Sequence, residues 1–131
     1  MFLHMLNDDQ KRAFAALALK MAAADGTMVG RETAKLRSLA GEINLDLADW
    51  DNAGGVAELA STFTDRRSKV VAILELVGLA YSDTSFQAIE GSLVAEVARA
   101  MNVSDDDLKR LEAWVGDHAA HVREAFALMR E

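Results

Sequence analysis

Two stretches of this chain share one outline, and the spacing between them constrains the fold more than any composition does. Ala24-Asp25-Gly26-Thr27-Met28-Val29-Gly30-Arg31-Glu32 is echoed by Ser82-Asp83-Thr84-Ser85-Phe86-Gln87-Ala88-Ile89-Glu90. Asp83 follows Asp25 by 58 positions, Glu90 follows Glu32 by the same 58, and the offset continues without a gap through Leu39 and Val97, Asn44 and Asn102, and Leu45 and Val103. In each copy an aspartate closes one helical segment, a short turn follows, and a glutamate lies in the first turns of the next helix. A repeat of this length marks a supersecondary unit used twice, here a helical hairpin, so the expected architecture is a pair of such hairpins about a pseudo-twofold axis.

Helices rather than strands are expected because the chain has no proline and is rich in Ala and Leu. A length of 131 residues is one domain, with repeat halves at about 8–63 and 65–131, large enough to bury roughly two-thirds of the surface of its unfolded chain. With no cysteine there is no disulfide framework and no thiolate ligand or nucleophile. Twenty-one acidic against 14 basic side chains give a net charge of −7, which repels phosphate backbones and anionic lipid and excludes nucleic acid as a partner. The opening Met1-Phe2-Leu3-His4-Met5-Leu6 has no basic n-region and runs straight into Asn7-Asp8-Asp9, so a cytoplasmic location is expected. The apolar run at Val70-Val71-Ala72-Ile73-Leu74 is cut by Glu75. It is far short of the ~20 residues that insertion into a bilayer needs.

Along the chain the periodicity predicts about seven helices. Asn7 and Gln10 frame a capping box for a helix reaching about Ala24, with Phe14, Leu17, Ala18 and Met21 on its core face. A second helix over 28–42 places Leu36, Leu39, Ala40 and Ile43 inward, with Gly41 and Asn44 as its stop. Residues 45–63 read as two short helices broken near Gly54-Gly55. Thr64-Asp65 opens a helix over 65–81 that is apolar nearly all round, the mark of a helix surrounded by neighbours. Another follows over 86–101. Ser104, with Asp105, Asp106 and Asp107 behind it, opens the next, and Gly116-Asp117 is expected to break it before a last helix bearing Val122, Phe126 and Met129.

The residues with most chemical potential are Asp25, Glu32, Asp83 and Glu90. If the two turns face each other, four carboxylates with backbone carbonyls and water suit a hard divalent cation such as calcium, magnesium or manganese. The plainer reading is capping: Glu32 and Glu90 lie near positive helix N-termini, and an aspartate before glycine is ordinary turn chemistry. An aspartate at a helix C-terminus is disfavoured by the macrodipole, and its appearance in both copies keeps the cation reading open. The run from Asp49 through Asp51 does not complete a calcium loop, because Ala53 and Ala60 stand where oxygen ligands are needed. His118 and His121 share a spacing that two metal ligands can use, without a third beside them. Trp50 and Trp114 read as packing residues. No serine, threonine or lysine lies in a nucleophile motif, so no enzyme is expected.

Ala23-Ala24-Asp25-Gly26-Thr27-Met28 with Glu32, Ala80-Tyr81-Ser82-Asp83 with Glu90, and Asn102-Val103-Ser104-Asp105-Asp106-Asp107-Leu108 together resemble the TerB-like, tellurite-resistance-associated domain family over about residues 10–115. The resemblance implies an all-helical, cytoplasmic, stress-response module of duplicated hairpins that chelates cations through its acidic residues. Asp25, Glu32, Asp83 and Glu90 are the matching positions. Thr84 replaces the glycine of the first turn, and Val29-Gly30-Arg31 lacks the usual acidic and capping residues. The resulting expectation is a non-enzymatic module that docks a membrane-associated or signalling protein and holds a divalent cation at those carboxylates. The alternative is a pure interaction scaffold or homodimer without metal.

Overall fold

The computed structural model describes residues 2–22, 30–43, 54–80 and 88–130. A 3-10 turn, Leu3–Met5, is followed by α1 (Asp8–Ala22), α2 (Gly30–Ile43), α3 (Val56–Ala60), α4 (Arg66–Ala80), α5 (Ala88–Ala100) and α6 (Asp105–Met129), with no strand among the described residues. The fold is all-α, as the sequence predicts.

Local side chains set the helix starts. The Asn7 carboxamide accepts from the Gln10 amide at 2.8 Å while the Gln10 side chain accepts from the Asn7 amide at 3.0 Å, a reciprocal box that opens α1. Gln10 is buried, and its Nε2 donates to the Thr62 carbonyl at 3.4 Å, which ties the start of α1 to the segment after α3. Ser104 accepts from the Asp107 amide at 3.1 Å at the start of α6, where Asp105, Asp106 and Asp107 face the positive helix end. At α4 the residue before the helix is Asp65, whose carboxyl is held below its usual range first by the Ser68 hydroxyl and then by the Ser68 amide.

The 58-residue spacing reappears in the helix limits. Arg66 and Ala80, the ends of α4, lie 58 positions after Asp8 and Ala22, the ends of α1, and α5 begins 58 positions after α2. Buried positions follow the same offset: Met21 and Leu79, Leu39 and Val97, Ile43 and Met101 are all in the core. Successive long helices touch, α1 with α2 and α4 with α5.

The expectation that 65–81 is the central helix holds. α4 touches α1, α2, α5, α6 and the 3-10 turn, and buries Val71, Ile73, Leu76, Val77 and Leu79. Burying an aliphatic side chain of that size contributes about 1.5–3 kcal/mol, so α4 carries more of the core than any helix with a single inward stripe.

Two expectations about helix number fare differently. The first short helix of the 45–63 segment falls on 44–53, outside the described residues, whereas the second is α3, entered through Gly54 at φ +93°. The break expected at Gly116-Asp117 does not occur. α6 is one helix of 25 residues, because a single interior glycine costs only about 1 kcal/mol and helix-favouring alanines and leucines lie on both sides.

Candidate functional site

The N-terminal turn of α6 and the start of α4 meet at Asp107. Its carboxylate takes Arg66 Nη1 at 3.0 Å and Arg110 Nη1 at 3.6 Å, so one acid stands between two guanidinium groups. All three side chains keep access to water, and such pairs stabilise little while fixing orientation. One turn further on, Leu111 and Trp114 project from α6 beside Leu74 of α4. Phe2 closes the other side, its ring 6.1 Å from that of Trp114 and tilted by 51°. These residues line a groove of ≈ 500 Å³ with an apolar floor and a charged end.

Phe2 is held in place by the core. Its amide donates at 2.7 Å to Glu75 Oε1 on α4, a carboxylate only 6% exposed. In the sequence Glu75 only interrupts an apolar run, whereas in the structure it anchors the segment that walls the groove. A charge in the middle of an otherwise apolar helix was the available signal, since buried carboxylates persist only with partners.

Trp114 also departs from expectation. It is 46% exposed instead of packed between helices, and His118 stacks on it with ring centres 5.3 Å apart and planes 4° from parallel. Along α6 the side chains on the core-facing line change environment. Leu108 and Val115 are buried, but Val122 is 41%, Phe126 56% and Met129 76% exposed, and every residue from 120 to 130 is exposed. The apolar stripe of α6 therefore runs on past the bundle it packs against. Glu112, on the flank of α6, has its carboxyl pushed above the usual range by partial burial, with Lys109 opposing.

Asp25 and Asp83 lie outside the described residues, as do the Asp49–Asp51 run and Trp50. Glu32 falls within α2 and Glu90 within α5, near their N-terminal ends as expected, and the description covers their backbone alone. Among the described residues no group of three or more His, Asp or Glu is placed to hold a metal ion. His118 and His121 do not converge on a third ligand: His118 is stacked on Trp114, and His121 Nδ1 is 3.8 Å from Glu124 Oε2. Asp105, Asp106 and Asp107 serve the α6 terminus as the sequence predicts. No described helix is long and apolar enough to cross a membrane.

The groove and the free end of α6 can receive apolar side chains flanked by an acidic or hydrogen-bonding group, an arrangement suited to holding a polypeptide. Compared with known proteins, the chain matches no family model, no curated protein and no solved structure.

Proposed function

We propose that the protein is a non-enzymatic docking module of the stress-linked, TerB-like kind, which holds a polypeptide partner against the groove and the free end of α6. The observation that carries this reading is the exposed line Val122, Phe126 and Met129, which continues the buried line Leu108 and Val115 on the same helix. Contiguous exposed apolar surface on an otherwise polar helix marks an interaction site. Trp and Arg are the side chains that most often dominate binding energy, and Trp114, Arg66 and Arg110 meet at the groove beside that line. The TerB-like assignment rests on the doubled sequence signature, and the absence of catalysis on the lack of a nucleophile motif.

The test is a photoreactive benzoylphenylalanine placed at position 126 in cells. A covalent adduct containing a second polypeptide is the expected result. Irradiation that yields only lipid adducts, or none from positions 122, 126 and 129 alike, removes the docking reading.

The sequence repeat favours a second reading, a divalent cation at Asp25, Glu32, Asp83 and Glu90. A ligand bound only by the folded state at ten times its Kd adds about 1.4 kcal/mol of stability. Millimolar calcium or manganese should then raise the melting temperature of the wild type and leave the double variant Asp25→Asn, Asp83→Asn unmoved. An equal shift in both proteins, or none in the wild type, ends the cation reading.

A further inference from the structure

We infer that the partner seated on the groove and free end of α6 is a second copy of this chain, paired antiparallel through α6 about a twofold axis. The inference rests on the docking reading above and names its occupant.

Leu111, Trp114, His118, His121, Ala125 and Leu128 recur at alternating three- and four-residue steps, which places them on one seam of the helix. That seam starts at the groove and runs onto the exposed end. Laid antiparallel on itself with the axis between His118 and His121, it sets Leu111 against Leu128 of the second copy and Trp114 against Ala125 of the second copy. The largest side chain thus meets the smallest, and the two leucines meet each other, as interdigitating layers require. Each pairing occurs twice because a twofold contact is reciprocal.

A two-helix seam uses only those positions, yet the exposed end also carries Val122, Phe126 and Met129 on the adjoining side. In the antiparallel arrangement that side turns toward Phe2 and Leu74, the other wall of the partner's groove. One exposed helix end therefore has two surfaces to cover, and its apolar arc is broad enough for both.

The chain carries −7, so two copies repel over most of their surfaces. α6 shares that excess, with six acidic against three basic side chains, but three of the acids crowd its first turn, and the exposed end over 118–130 has one acid, Glu124, against Arg123 and Arg130. That end is thus where a like-charged copy can approach. As to area, five large apolar side chains per copy are 41–76% exposed along this face, with Phe2, Leu74 and Leu111 half-buried beside them. At roughly 100 Å² for each exposed one, doubled by symmetry, the contact reaches roughly 1,000–1,200 Å², the lower edge of stable interfaces. An area of that size suits a reversible dimer and not an obligate one.

Sedimentation velocity on the full chain from about 1 to 100 μM tests it. The wild type should move from monomer to dimer across that range, and Phe126→Glu with Leu128→Glu should weaken association at least tenfold with an unchanged far-ultraviolet circular dichroism spectrum, since both side chains are exposed in the monomer. Register has its own readout, because the natural chain has no cysteine. Trp114→Cys combined with Ala125→Cys should form a covalent dimer on mild oxidation, while Trp114→Cys alone should not. A wild type that stays monomeric at 100 μM overturns the inference, as do ready covalent dimers from Trp114→Cys alone. A monomer that still yields adducts to a different polypeptide from position 126 sinks this inference and leaves the docking reading standing.

Discussion

Asn102 occupies the left-handed region at φ 60° and ends α5 there. Its amide donates to the Arg99 carbonyl at 3.0 Å and the Val103 amide to the Ala98 carbonyl at 2.9 Å, the paired bonds that close a helix over a left-handed residue. Asparagine tolerates this conformation better than any residue except glycine. Asn102→Ala should therefore cost about 1 kcal/mol in urea unfolding, and Asn102→Gly should cost nothing or stabilise slightly. Asp65 behaves as a second local device. Its folded-state pKa is lowered, so the stability it contributes is present above the usual carboxylate range and is lost as pH falls through that lower value. Glu112 has the opposite sign: its raised folded-state pKa makes its effect unfavourable once pH rises past the ordinary range. Asp65 is visible in the sequence at a helix start, because capping is local chemistry, whereas Asn102 reads there only as the counterpart of Asn44, the stop of the second helix. Glu75 was visible only as an anomaly, since its partner Phe2 lies 73 positions away.

At the scale of the element, α4 and α6 teach different lessons. α4 is apolar nearly all round, and that alone identified it as the central helix, because an element without a polar face has to be enclosed. Its Gly78 lies in the helix interior, with open space where a Cβ would project. Gly78→Ala should thus add about 0.5–1 kcal/mol of stability by removing backbone freedom from the unfolded chain, seen as a higher urea midpoint with an unchanged slope. Gly116-Asp117 predicts two helices where α6 is one. Local propensity there is weighed against the continuity of 25 residues whose start is firmly capped by Ser104, and a cost near 1 kcal/mol does not break such a run. That continuity is what carries Val122, Phe126 and Met129 beyond the bundle.

Across the whole molecule, apolar residues fall into two populations that hydrophobicity cannot separate. Ile73 is fully buried, whereas Phe126 is 56% exposed. Ile73→Ala should lose about 2–5 kcal/mol of folding stability, and Phe126→Ala, measured on the monomer at low concentration, should stay within about 0.5 kcal/mol of the wild type. The all-α class, the central place of α4, the helix caps and the 58-residue spacing that recurs in helix limits and buried positions are all legible along the chain, because each depends on local propensity or on periodicity along one helix. That Phe2, Leu74 and Trp114 share a groove, that Arg66 and Arg110 converge on Asp107, and that the bundle stops under Val115 while α6 goes on comes from the packing alone. Those facts depend on where distant segments lie relative to one another. An apolar stripe has the same spelling whether a neighbour covers it or water does.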